Sequence, residues 1–131
     1  MKFFVTGRST NYEKVKQTFD LIEQMGHSIT LRWTDFPSIK PYNENDAKAA
    51  EFSVQQIEGI KMTDIFVIFS HNDGTGVFTE FGAALALAQL RGTPKIYAIG
   101  DGVVRSACMF HYHPLIIWKE SFAEVLDDVQ S

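Results

Sequence analysis

The stretch that decides the fold is Asp64-Ile-Phe-Val-Ile-Phe69, which leads directly into the polar loop Ser70-His-Asn-Asp-Gly-Thr-Gly76. The five residues after Asp64 are all apolar and mostly β-forming, which predicts a central strand covered on both faces. An alanine-rich segment, Val77–Leu90, follows the loop and stops near Gly92, as a helix does. This order of buried strand, glycine-containing loop and helix is typical of an α/β protein with a parallel sheet.

Short apolar runs alternate with longer helical segments on both sides of this stretch. We predict four further strands, at Phe3–Thr6, His27–Trp33, Lys95–Ile99 and Leu115–Trp118. Five strands that alternate with helices require right-handed crossovers in a parallel sheet. We therefore expect residues 1–131 to form a single flavodoxin-like (Rossmann-like) three-layer α/β domain with strand order 2-1-3-4-5.

Capping patterns set the expected bounds of the other helices. Thr10-x-x-Glu13 has the form of a capping box, and the helix that it opens should end at Gly26. Asn43 is predicted to cap a helix over residues 44–61. Ser121-x-x-Glu124 is a second capping box and predicts a terminal helix.

Composition excludes several classes of function. The 131 residues include 12 Lys+Arg and 16 Asp+Glu, a net charge of -4, and no basic stripe follows a nucleic-acid backbone. The longest apolar runs, Ile65–Phe69 and Ala83–Ala88, are far shorter than the ~20 residues of a membrane span. The start lacks the features of a signal peptide, and Cys108 is the only cysteine. We expect a cytoplasmic protein that binds neither nucleic-acid polymers nor membranes.

The predicted topology locates a ligand site before any motif is considered. Open α/β sheets bind ligands beyond the carboxyl ends of the strands, where the strand order reverses, here between the first and third strands. The loops that meet there are Gly7–Asn11 and Ser70–Gly76. The first matches neither a dinucleotide fingerprint nor a Walker loop. Arg8 and Ser9 have the chemistry to receive a phosphate, but the same residues suit a simple turn before a helix.

Glu80 is the candidate reactive group of this site. It is predicted to lie about one turn into the helix after the glycine-containing loop, where the helix dipole favours an ionised carboxylate. Such a group can attack an anomeric carbon or stabilise an oxocarbenium-like centre. The alternative is an acidic residue placed only for helix stability.

Three segments together resemble the nucleoside 2-deoxyribosyltransferase family and the related 2′-deoxynucleoside 5′-phosphate N-hydrolases. They are Asp64–Phe69, Gly74-Thr-Gly-Val-Phe-Thr-Glu80-Phe-Gly82-Ala-Ala84, and Lys95–Ile99. The resemblance extends to the first strand and its turn, and to Gly102-Val-Val-Arg-Ser106. It implies an enzyme of N-glycosidic bonds that needs no metal or organic cofactor.

The same resemblance implies roles for individual residues. Glu80 would be the nucleophile, and the residues expected to bind the substrate are Gly7, Arg8, Ser9, Gln56, Ser70, Asp73, Gly74, Gly76 and Ser106. Of these, Gly7, Arg8 and Ser9 would contact the sugar or phosphate. Ser106 would contact the ligand of a neighbouring subunit, which implies a homodimer or higher homo-oligomer.

Two positions depart from the family pattern. Gln56 stands eight residues before Asp64, where the family has an acid, and glutamine hydrogen-bonds a base but transfers no proton near neutral pH. Gly74 stands where the family has Asp or Ser, with Asp73 adjacent. Two alternatives to cleavage or transfer of a (2′-deoxy)nucleoside or nucleotide therefore stay open: a non-catalytic nucleotide-binding module and an NAD glycohydrolase.

Three further positions have structural and functional interpretations. His111-Tyr-His113 could hold a metal, but it has no acidic or thiol partner and precedes Pro114, which favours a surface loop. Trp33 and Phe36 could stack on a base, and packing is the commoner role of such side chains. We predict no metal site.

Overall fold

The computed structural model describes residues 1–131 and contains one five-stranded parallel sheet. Its strands are β1 (Lys2–Gly7), β2 (Ser28–Ile29), β3 (Ile65–Phe69), β4 (Lys95–Ile99) and β5 (Ile116–Lys119). Their order is β2-β1-β3-β4-β5, which confirms the predicted fold class. β3 has the predicted bounds, and β5 begins and ends one residue later than predicted.

Five helices surround the sheet. They are α1 (Tyr12–Gln24), α2 (Asp46–Lys61), α3 (Thr75–Arg91), α4 (Gly102–Arg105) and α5 (Phe122–Gln130). Short 3-10 turns lie at Ser9–Asn11, Trp33–Asp35, Tyr42–Glu44 and Met109–Tyr112. None of the helices combines the length and the apolar character that crossing a lipid bilayer requires.

Strand β3 shows why the sheet is buried on both faces. Ile65, Val67 and Phe69 belong to one hydrophobic cluster, which includes the buried side chains of α1 and α5. Phe66 and Ile68 belong to the other, which includes those of α2 and α3. Side chains alternate along a strand, so an uninterrupted apolar run fills both clusters. We call the two sides the α1/α5 face and the α2/α3 face.

The second strand is shorter than predicted. The ladder to β1 pairs only Ser28 and Ile29, and Trp33 lies in a 3-10 turn. The Trp33 indole Nε1 donates a hydrogen bond to the Val5 carbonyl at 2.7 Å. This side-chain bond occupies a backbone carbonyl on the side of β1 that faces β2. The chain therefore leaves the β1–β2 ladder early. The prediction of a strand over residues 27–33 was therefore wrong in its second half.

Two of the three predicted caps are also wrong. A 3-10 turn over Ser9–Asn11 precedes α1, so the Thr10-x-x-Glu13 box does not form. Asn43 lies in another 3-10 turn, and α2 begins only at Asp46. In both places the extra turn moves the helix start beyond the predicted cap.

The third cap is confirmed. At the start of α5 the Glu124 backbone N–H donates to Ser121 Oγ at 3.3 Å. The Glu124 carboxylate reaches back and accepts from the Glu120 N–H at 2.7 Å. The serine end forms as the capping box predicts, whereas the returning carboxylate binds the N–H one residue before the cap.

Candidate active site

The carboxyl ends of β1 and β3 lie side by side, with Gly7 in register with Phe69. The chain leaves β1 for α1 on one face of the sheet, and it leaves β3 for α3 on the other. Two adjacent strands whose helices diverge in this way open a crevice between their loops. The structure thus brings together the two loops that the topology predicts.

Glu80 projects from α3 into the α2/α3 face at this crevice. Its Oε1 accepts a hydrogen bond from the hydroxyl of Thr6, the last side chain of β1 on that face, at 3.2 Å. Its Oε2 is buried and has no hydrogen-bond partner. One carboxylate oxygen is therefore anchored, and the other has no partner within the protein.

Burial, and not the helix dipole, controls the charge of Glu80. α3 begins at Thr75, so Glu80 lies in its second turn, and no acidic residue occupies the first turn. The dipole acts mainly within the first turn. Burial raises the pKa of Glu80 from 4.5 to about 7, and the Thr6 hydrogen bond offsets part of this rise. The prediction of a carboxylate that the dipole keeps ionised was wrong for this reason.

Gln56 lies at the level of Thr6 on the same face of the sheet. A Cβ at Gly59 would lie 3.2 Å from the Phe4 ring, so α2 crosses β1 at Phe4. Gln56 precedes Gly59 by one turn, about 4.5 Å along the helix, and Thr6 lies about 6.6 Å beyond Phe4 along the strand. In a parallel crossover the helix runs opposite to the strands. The step back from Gly59 to Gln56 and the step forward from Phe4 to Thr6 therefore both lead toward the carboxyl edge of the sheet. The Gln56 Oε1 is buried and unpaired.

Buried polar side-chain atoms without partners are concentrated at this edge of the sheet. They are Thr34 Oγ1, Gln56 Oε1, Ser70 Oγ, Glu80 Oε2, Arg105 Nε and His111 Nε2. Thr34 follows β2, Ser70 follows β3, and Arg105 and His111 lie between β4 and β5. Because buried polar groups in folded proteins are almost always paired, this concentration makes the edge the candidate region for a polar ligand.

An ion cluster joins the two loops across the top of the crevice. Arg8 Nη1 lies 2.5 Å from Asp73 Oδ1 and 3.3 Å from His71 Nδ1. His71 Nδ1 also lies 3.3 Å from Asp73 Oδ1. The positive charge of Arg8 is therefore already paired with a carboxylate, and a bound phosphate would share Arg8 with Asp73.

Two predicted glycines serve the packing of these loops. A Cβ at Gly7 would lie 3.2 Å from Asn11 Cβ and 3.3 Å from Phe69 Cβ, so a side chain there would push β1, its turn and β3 apart by a few tenths of an ångström. Gly74 has φ +133°, and a Cβ there would lie 3.1 Å from Arg8 Cγ. Gly74 thus allows the second loop to pack against the Arg8 side chain. Gly76, in the first turn of α3, has open space around it.

Gly74→Ala tests whether this loop conformation is required. We expect the free energy of unfolding to fall by about 1–3 kcal/mol, because alanine is strained at positive φ and its methyl group displaces Arg8. Gly82→Ala is the control, since Gly82 is exposed within α3 with open space around it, and should gain about 0.5–1 kcal/mol. Urea unfolding measures both variants, and a Gly74→Ala protein as stable as Gly82→Ala would contradict the requirement.

Ser9 and Ser106 lie on the surface. Ser9 is exposed in the turn before α1, beside Arg8. Ser106 is exposed at the end of α4, and its hydroxyl donates to the Val103 carbonyl at 2.7 Å. Ser106 is thus placed where a second molecule could reach it, on a segment that follows β4.

The surface-loop prediction is wrong for His111 only, because His113 is half-buried and its neighbours Tyr112 and Pro114 are exposed in the segment before β5. His111 is fully buried, and its ring contacts the rings of Phe78, Phe81 and Trp118. Its Nδ1 donates to the Arg105 carbonyl at 3.0 Å. The neighbouring aromatic side chains, which the sequence pattern alone does not bring together, explain this burial. No cluster of three or more metal-ligating side chains is present.

Sequence reasoning missed Thr6 and His71 as parts of the site. Thr6 ends an apolar strand, and a lone hydroxyl at a buried strand end is a usable signal in retrospect. Nothing local marks His71. Of the aromatic candidates, Trp33 packs against both hydrophobic clusters, while Phe36 stacks on Phe52 of α2 with ring centroids 4.3 Å apart.

Two clefts open elsewhere on the molecule. One of about 390 Å³ lies between α1 and α5, with Lys14 and Phe69 among its lining residues. Another of about 590 Å³ is a polar concavity beside β5 and α5. Neither is lined by Glu80, Gln56 or Arg8. The candidate active site is instead the region around the buried Glu80 carboxyl group and the unpaired polar atoms, because a reaction requires reactive groups as well as volume.

Comparison with known proteins supports the fold. No protein-family model and no curated protein matches the sequence. Among solved structures, the chain is similar to the Clostridium botulinum CMP N-glycosidase BcmB, with a TM-score of 0.57 and 19% sequence identity. The match covers 99% of this chain and 98% of that one. The two proteins therefore share one α/β fold over nearly their whole lengths.

Proposed function

We propose that the protein cleaves or transfers the N-glycosidic bond of a small nucleoside or nucleoside 5′-monophosphate, with Glu80 as the nucleophile. The observation that carries the proposal is the Glu80 carboxyl, anchored by Thr6 through one oxygen while the other is buried and unpaired. The shared fold with a CMP N-glycosidase supports the proposal. So does the local resemblance of residues 64–84 to the deoxyribosyltransferases.

The proposed reaction is a double displacement. Glu80 Oε2 attacks C1′ of the sugar, and the bond from C1′ to the base nitrogen breaks with its electron pair on the base. The Thr6 hydroxyl holds Oε1 and fixes the direction of attack. Water, or a second base, then attacks C1′, and the Glu80 carboxylate is released. The proton of the attacking water goes to solvent.

The remaining predicted residues are proposed to position the substrate. Arg8, Ser9 and the Gly7 turn would bind the hydroxymethyl or 5′-phosphate end. The loop over residues 70–76 would close the crevice through Ser70, Asp73, Gly74 and Gly76, and Gln56 would hydrogen-bond the base. We further propose that Ser106 serves a neighbouring subunit in a homodimer or higher homo-oligomer. A single domain over residues 1–131, a cytoplasmic location and turnover without metal or cofactor complete the proposal.

A substrate panel tests the proposal directly. Purified protein is incubated with 2′-deoxynucleosides, their 5′-monophosphates, ribonucleotides and NAD, and the released base is measured by chromatography. We expect base release from at least one nucleoside or nucleotide. If nothing is cleaved but one nucleotide raises the melting temperature, the protein is a binding module, as the amide at Gln56 would then indicate.

Arg8→Gln tests the proposed phosphate contact. We expect KM for a 5′-monophosphate to rise about tenfold or more, because a charge-assisted contact is lost, while KM for the free nucleoside changes little. Lys48→Gln, which removes an exposed charge paired with Glu51 on α2, is the control. Equal effects of Arg8→Gln on nucleotide and nucleoside would remove Arg8 from the phosphate site.

The pH dependence of turnover tests the role of Glu80. Only the ionised carboxylate is a nucleophile, and burial raises its pKa to about 7. We therefore expect kcat/KM to rise about tenfold per pH unit below this value and to level off above it. Steady-state rates between pH 5 and 9 measure the profile, and a rate independent of pH across this range would contradict the assignment.

A further inference from the structure

Resting on the proposed function, we infer that the preferred substrates are glycosylated pyridinium compounds, in which the base carries a positive charge on the nitrogen bonded to C1′. Such a base departs as a neutral molecule and needs no proton from the protein. Two independent features of the site support this inference: the absence of a second acid, and a buried carboxyl group without a positive partner.

The crevice contains one carboxyl group and no free proton donor beside it. Gln56, at the level of Thr6, offers only an amide. Every other acid in the loops and helix starts at this edge is exposed, and Asp73 is also paired with Arg8. These acids are Glu13, Asp35, Glu44, Asp46, Glu51, Asp73, Asp101, Glu120 and Glu124.

The histidines do not fill this role either. His111 donates through Nδ1 to the Arg105 carbonyl, and its ring is packed among the Phe78, Phe81 and Trp118 rings, with no hydrogen bond to Glu80. The His71 ring lies in the ion cluster, with Nδ1 directed at Arg8 and Asp73. A base that must leave as an anion would therefore depart without protonation by the protein. General acid catalysis would otherwise accelerate this departure by about 10²–10⁴-fold.

Glu80 also lacks a positive partner. No Lys or Arg forms an ion pair with its carboxylate: Arg8 is paired with Asp73, and the Arg105 guanidinium lies over the Tyr112 and Trp118 rings. A buried carboxylate without a counter-charge is electrostatically complementary to a cationic ligand.

The reaction balances without an acid. Glu80 Oε2 forms a bond to C1′, and the C1′–N bond breaks with both electrons on the ring nitrogen, which neutralises the positive charge of the ring. Water then attacks C1′ and releases the carboxylate. The products are a neutral pyridine, the free sugar and one proton.

Three probes test the inference: nicotinamide mononucleotide, its uncharged 1,4-dihydro form and cytidine 5′-monophosphate. We expect kcat/KM for the pyridinium to exceed that for cytidine 5′-monophosphate by about a hundredfold or more, the usual contribution of a general acid, and no release from the dihydro form. Cytosine release as fast as nicotinamide release would overturn the inference and leave the proposed function intact. If neither cytosine nor nicotinamide is released, and no compound of the earlier substrate panel releases its base, the proposed function itself is overturned.

Gln56→Glu tests whether the missing acid sets this preference. The variant supplies a carboxyl at the level of Thr6, so the ratio of cytosine to nicotinamide release should rise about tenfold or more and the pH profile should gain a descending limb. Gln55→Glu, at the exposed neighbouring position, should leave the ratio unchanged. An unchanged ratio in Gln56→Glu would overturn the inference. So would a descending limb in the wild type that His71→Asn removes, since His71 would then be the acid.

Discussion

Glu80→Gln is expected to reduce base release by about a thousandfold or more, because an amide cannot form the covalent bond to C1′ that the carboxylate forms. The substitution preserves the size of the side chain, and the glutamine carbonyl can still accept from the Thr6 hydroxyl. Affinity for a substrate with an uncharged base, such as cytidine 5′-monophosphate, should therefore change little. Single-turnover chromatography measures the rate, and calorimetry on the inactive variant measures the affinity.

Glu58→Gln is the matched control for this experiment. Glu58 lies on α2, half exposed and paired with Lys61 at 2.9 Å, so its loss should leave turnover near that of the wild type. Retained turnover in Glu80→Gln would remove Glu80 as the nucleophile. A parallel loss of affinity and rate would assign it to binding instead.

The same variant is expected to be more stable than the wild type at alkaline pH. The pKa of Glu80 is about 7 in the folded chain against 4.5 in the unfolded chain, because burial disfavours the charged form. Below about pH 4.5 Glu80 is neutral in both the folded and the unfolded chain, so its burial costs no stability. Above pH 4.5 the unfolded chain ionises first, and the folded chain loses stability until the pH has risen through about 7. Above that pH the buried charge costs on the order of 3 kcal/mol.

Urea unfolding at two pH values measures this cost. Glutamine cannot ionise, so Glu80→Gln should exceed the wild type by about 3 kcal/mol in free energy of unfolding at pH 8 and match it near pH 4. Glu58→Gln should show no such pH-dependent gain. If Glu80→Gln is less stable than the wild type at pH 8, the ionised carboxylate stabilises the fold. The proposed cost in free energy of burying this charge would then be contradicted.

The parts of the fold that the sequence predicts well are those that local burial determines. Strand β3 has the expected bounds because its five apolar residues in succession are mostly β-forming, which favours a strand covered on both faces. The alanine-rich run of α3 and the capping box at Ser121 are equally local. From these the strand order follows, because crossover connections leave few topologies.

The errors arise where distant residues compete for the backbone. The second half of the predicted strand over residues 27–33 fails because the Trp33 indole takes a carbonyl of β1. The buried position of His111 depends on rings from α3 and β5.

The site shows the same division between local and distant effects. The topology predicts which loops meet, and the local pattern singles out Glu80. The protonation of Glu80 depends instead on burial that the assembled layers create. The pairing of Arg8 with Asp73 joins residues 65 positions apart, and neither residue type nor spacing predicts it.

The stereochemistry at C1′ tests the proposed nucleophile most directly. A double displacement through Glu80 retains the anomeric configuration of the substrate, whereas direct attack by water inverts it. In buffer that contains methanol, NMR of the methyl glycoside product reports the outcome before the free sugar can equilibrate. We predict the β-methyl glycoside from a β-nucleotide, and formation of the α-methyl glycoside would contradict a covalent Glu80 intermediate.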